Sequence, residues 1–163
     1  MDAEVYDRLA DALDRLPNGF PRTASGVELA ILRKLFDADE AALAAALSGE
    51  FEAAGGIAAR VQQPPAEVTK RLLAMVRRGL VWFCKREGAL HFRLAPFIVG
   101  IYEESLDRLD HELAHLVEHY LLDGGAAGIM GPEPALHRVM PAHRAVKTES
   151  VLPYEDVKAL LLA

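Results

Sequence analysis

The stretch IAARVQQPPAEVTKRLLAMVRRGLVWFCKREGALHFRLAP, residues 57–96, changes its hydrophobic period part-way, and that change decides the fold. The spacing predicts a short helix over 57 to about 62, a turn at Gln63-Pro64, and a second helix over about 65–78. Proline stands at the first position of the second helix and Gly79 at its stop. The period then drops to two. Val81, Phe83 and Lys85 alternate with Trp82, Cys84 and Arg86; after Glu87-Gly88, Leu90, Phe92 and Leu94 alternate with His91 and Arg93.

Two helices joined by a tight turn and followed by a basic hairpin predict a mainly α protein built on a winged helix-turn-helix with a two-stranded wing. Further helices surround it. Val5, Leu9, Leu13 and Leu16 form one stripe that Pro17-Asn18-Gly19 ends. Ser25-Gly26-Val27-Glu28 reads as a capping box opening a helix through Phe36, and Asp37 with Glu40 opens a short alanine-rich one to about Leu47. After the hairpin a single long helix is expected over 96–122. Its Leu106, Leu109, Leu113, Leu116 and Tyr120 follow the 3-4 spacing of a seam suited to another helix, of its own domain or of a second copy, and the length of the helix favours a homodimer or a spacer to a following domain. The chain divides into a winged-helix domain with its scaffold helices (1–122), a Gly/Pro linker (123–136) and a tail with a short strand and helix (137–163).

Composition narrows the function. The 163 residues, 52% hydrophobic and 26% charged, are enough for a core without staples. No apolar run has the length of a membrane span, and the first residues lack the basic and apolar regions of a leader, so a cytoplasmic protein without a membrane partner is expected. The single cysteine, Cys84, reads as a half-buried strand residue. Net charge is −6, yet residues 60–93 hold eight bases against two acids, leaving ten bases and 22 acids elsewhere. Such an asymmetry is the footprint of a localised polyanion site.

On a wheel of about 100° per residue starting at Val68, Leu72, Met75 and Val76 share the apolar side. Lys70, Arg71, Arg77 and Arg78 lie at about 180–300°. These four, with Lys85, Arg86 and Arg93 of the hairpin, are the candidate nucleic-acid-binding residues: the helix would enter the major groove and the wing would reach flanking phosphates. A solvated face would carry the same pattern. Glu67, near the helix start, would meet phosphate repulsively.

His111-Glu112-Leu113-Ala114-His115 has the spacing that places two zinc-ligating imidazoles and a glutamate base on one helical face, with His119 one turn on. Such a site also needs a third ligand held from elsewhere, and Glu133, the nearest downstream carboxylate, falls in the linker. His111, His115 and His119 are therefore candidate ligands for an adventitious metal, and no enzyme is expected; a zinc hydrolase is the third reading after the two below.

LPNGFPRTASGVELAILRKLFDADEAALAAAL, IAAR, LLAMVRRGLVW and FRLAPFIVGIYEESLDRLDHELAHLVEHY together resemble the winged-helix region at the N-terminus of certain bacterial proteins of anaerobic metabolism, whose C-terminal half is a ferredoxin-like domain binding 4Fe-4S clusters. The resemblance runs through VLPYEDVKALL. It implies no cofactor in this chain, which has no CxxC, and clusters only in a C-terminal domain beyond it. Two main readings follow: a DNA-binding module of transcription-regulator type, or a protein-interaction and dimerisation module for an iron-sulfur domain or partner.

Overall fold

A computed structural model describes residues 2–131. The tail expected over 137–163 and the end of the expected linker, Glu133 included, lie outside the described residues. Within them the protein is mainly helical, with a small three-stranded antiparallel sheet.

Three helices form the N-terminal layer: α1 (Asp2–Asp14), α2 (Val27–Leu35) and α3 (Ala38–Ala45). Tyr6, Leu9, Ala10 and Leu13 bury one stripe of α1, and Ile31, Leu32 and Leu35 that of α2. The box at Asp37 and Glu40 forms, the Asp37 carboxylate accepting from the Glu40 amide at 2.7 Å and Glu40 returning the bond at 3.1 Å. The expected box at Ser25 and Glu28 does not. Gly26 adopts φ 71° and takes the cap position, so the Ser25 hydroxyl turns to the Asp123 carboxylate at 2.5 Å. Glu28 is buried instead, accepting from the Thr23 hydroxyl at 2.6 Å.

β1 (Glu52–Ala53), α4 (Ala54–Val61) and α5 (Pro65–Val76) follow, then β2 (Val81–Arg86) and β3 (Ala89–Leu94). The strand order is β1-β3-β2, with Phe83 opposite Phe92 and Val81 opposite Leu94. The Glu87-Gly88 corner has φ 50° and 82°, the two positive values of a type I′ hairpin turn. Gly79 joins α5 to β2 at φ +70°, and a Cβ there would lie 2.1 Å from that of Glu104; only glycine fits both the angle and the contact. Val68, Leu72 and Met75 of α5 meet Val81, Phe92 and Leu94 of the sheet in the same core.

The single helix expected over 96–122 is absent. After Pro96 the backbone is non-helical at Ile98, Val99 and Gly100. A single turn, α6 (Tyr102–Glu104), and a 3₁₀ turn over Leu106–Arg108 lead to extended backbone at Leu109. α7 (His111–Tyr120) starts afresh, capped by Asp110, whose carboxylate accepts from the Leu113 amide at 2.8 Å. β-branched Ile98 and Val99 disfavour helix, and the Glu103 carboxylate takes the Gly100 amide at 2.6 Å, fixing the break. Leu106 and Leu109 are consequently 49% and 37% exposed, and the continuous dimerisation seam does not exist. α7 buries Leu113, Val117 and Tyr120 instead, and the Tyr120 ring meets Phe20 and Phe97 at 5.1 and 5.9 Å. Within the stretch expected to be a linker the chain turns at Asp123-Gly124 and forms α8 (Ala126–Met130), with Ile129 buried.

Candidate functional site

The eight cations between Arg60 and Arg93 have three different fates. Arg60, Arg71 and Arg78 are tied to acceptors of their own chain. Arg60 forks onto the Glu52 carboxylate and donates to the Ala46 carbonyl at 2.6 Å. Arg71 donates to the Asp39 carbonyl at 2.7 Å and to Gln63 Oε1 at 3.1 Å. Arg78 grips both oxygens of Glu40 at 2.6 and 2.7 Å and the Leu35 carbonyl at 2.5 Å. Arg71 and Arg78 occupy one edge of the α5 wheel, at about 280–300°, and that edge lies against the start of α3. They are corrected from candidate ligand-binding residues to structural anchors.

Lys70, Arg77 and Lys85 are exposed and have no hydrogen-bond or ionic partner among the described residues. On α5 the first two lie with Ala66 and Ala74 on one exposed stripe, at about 160–240° on the wheel. The alanines keep that stripe low, so a ligand can approach the backbone while the two long side chains reach around it. The sequence held this signal in the 66-70-74-77 spacing, masked by the larger count of arginines.

Arg86 and Arg93 form the third group. Their guanidinium groups stack on aromatic rings: Arg86 on Phe51 at 5.2 Å, Arg93 on Phe51 at 5.0 Å and on Trp82 at 4.5 Å. Trp82 and Arg93 are register partners across β2 and β3, on the sheet face away from the buried Val81, Phe92 and Leu94. Arg93 thus points away from the α5 stripe and leaves the interface set. Arg86 stacks on the same Phe51 ring and, by alternation along β2, shares the face of Trp82, so it leaves the set as well.

His111, His115 and His119 line one exposed side of α7, and the first two rings are 5.7 Å apart. No group of three or more His, Cys, Asp or Glu suited to a metal ion comes together among the described residues. Glu112 is an ion-pair partner of Lys34, as is Asp110 at 2.8 Å. The Lys34 ammonium, held first by Asp110 and then by Glu112, is pushed up, and Asp110 is held below the ordinary carboxylate range by Lys34 and the Leu113 amide. Glu112, the base of the zinc-hydrolase reading, is thus engaged with a cation of α2. Cys84 is half-buried on its strand, as its setting predicts.

No family model, curated protein or solved structure matches the chain.

Proposed function

We propose that the chain is a winged-helix binding module whose outward face on α5 and the hairpin docks onto the phosphate backbone of DNA. The order α3-β1-α4-α5-β2-β3 with sheet order β1-β3-β2 supports the winged-helix reading. One observation carries the ligand reading: Lys70 and Arg77 stand exposed on the same alanine-floored stripe with no partner among the described residues, and Lys85 of the hairpin shares that condition. Three cations rather than seven form the face. The ligand contact is therefore phosphate-dominated and modest, positioning more than reading sequence. The attachment of such a module to an iron-sulfur domain belongs to the same proposal and rests on the sequence resemblance.

Anisotropy of a labelled duplex, titrated with the full chain at several salt concentrations, tests the reading. Affinity should fall with salt on a log-log slope no steeper than about −2.7, the limit for about three phosphate contacts. In a Lys70→Ala/Arg77→Ala double variant the slope should flatten by about two, and affinity at about 0.1 M salt should drop about a hundredfold. Binding that ignores this pair, or no salt-dependent binding at all, overturns the proposal.

A further inference from the structure

A cavity of about 580 Å³ lies on the other side of the sheet, where the end of α1, the Ser48-Gly49 loop and the Pro96–Val99 segment converge on Trp82 and Arg93. Its volume is that of a small-molecule site. Leu16, Leu47, Leu94 and Val99 supply apolar walls, and Arg15, exposed and without a partner among the described residues, stands on the same lining.

Arg93 is the unusual element. Its guanidinium carbon lies 5.0 Å from the Phe51 ring centroid and 4.5 Å from that of Trp82, so aromatic rings crowd the group and its N–H edge has to find the polar partners. That edge is poorly satisfied: Nη1 donates to the Gly49 carbonyl at 3.3 Å, and Nε is buried with no acceptor among the described residues. Guanidinium N–H groups are five obligatory donors, and a buried one without an acceptor is rare. An in-plane carboxylate is the chemistry that such an edge accepts.

From this juxtaposition we infer that the cavity binds a small monocarboxylate with an apolar body, its head on Arg93 and Arg15 and its body against the leucines and Val99. Glu50, exposed on the lining and forming no ion pair among the described residues, disfavours a second negative charge, so a monoanion fits better than a phosphate dianion. The site is separate from the α5 stripe, and the inference does not depend on the polyanion reading.

Trp82 is the chain's single tryptophan, which makes its fluorescence a direct reporter of the cavity wall. The full chain is titrated with phenylacetate and octanoate, with 2-phenylethanol, acetate and phenyl phosphate as comparisons. At least one of the two carboxylates should give a saturable change, and each comparison compound should bind at least about tenfold more weakly. Arg93→Gln should weaken the carboxylate by about tenfold or more. Arg15→Gln, a surface change with no risk to the fold, should weaken it severalfold. Absence of saturation with both carboxylates overturns the inference. So does equal binding of the alcohol or of phenyl phosphate, or a carboxylate response unchanged in the Arg15→Gln protein.

Discussion

The two edges of α5 carry the same kind of residue and have opposite fates. Toward α3, Arg71 and Arg78 find two backbone carbonyls and the Glu40 carboxylate, and each guanidinium is spent on holding one helix to another. Toward solvent, Lys70 and Arg77 find alanines and no hydrogen-bond acceptor or acid among the described residues. A basic helix is thus not one positive surface. A cation to which the fold offers no acceptor is the freer to meet a ligand, and about 100° of helix rotation separates the two conditions.

This difference is open to breakage, most forcefully through stability. Arg78→Gln removes a two-pronged pair whose Glu40 partner is 15% exposed, and it leaves the Leu35 carbonyl without its donor. Because Arg78 itself is 42% exposed, solvent already weakens the pair. The expected loss is about 1–2 kcal/mol in urea unfolding, with duplex affinity within about threefold of the parent. Lys70→Gln/Arg77→Gln should do the reverse, staying within about 0.5 kcal/mol in stability while losing affinity. If the Arg78 variant loses DNA binding and keeps its stability, the division of α5 into two edges is wrong.

Glu40→Gln sharpens the boundary further. Glutamine can still serve the third position of the α3 capping box, so the helix start survives, but the charge that neutralises Arg78 is gone. Freed of its counter-charge, Arg78 should raise duplex affinity by about threefold at low salt, a gain that vanishes as salt increases. An unchanged affinity would put Arg78 out of reach and draw the limit of the face between Arg77 and Arg78.

The α4-α5-hairpin region was legible because period, proline, glycine and turn residues agree over residues 57–94. β1 was not, since two residues carry no period and its pairing with Phe92 and His91 is set 38–40 positions away. The break after Pro96 was hidden for a different reason. Leu106, Leu109 and Leu113 keep helical spacing even though the chain between them is not one helix, and only Gly100 and Asp110 mark the interruptions. The seven candidate cations were all visible, yet which of them are free was not. Besides the nearby Gln63, the acceptors of Arg71 and Arg78 are 32, 38 and 43 residues distant, and two of those three are backbone carbonyls that any residue supplies. The Trp82 and Arg93 pair was readable as alternation across a hairpin, whereas the cavity beside it needs α1 and the Pro96–Val99 segment in place.

The smallest effect concerns Arg60, the third tied cation. Its guanidinium holds the Glu52 carboxyl below the ordinary carboxylate range, and Glu52 in turn raises Arg60. A carboxylate whose folded value is depressed contributes stability that is fully present above its unfolded value, near 4, and is lost as pH falls through the lower folded value. Arg60→Gln should therefore cost a few tenths to about 1 kcal/mol at neutral pH, a range set by the 46% exposure of Arg60. The gap between parent and variant should stay constant down to about pH 5 and close below about pH 4. Melting temperatures of the two proteins over that range measure it directly. A gap that persists in acid would mean that Arg60 acts through its bond to the Ala46 carbonyl, which does not titrate, and would place it with Arg71, as a cation held by backbone rather than by charge.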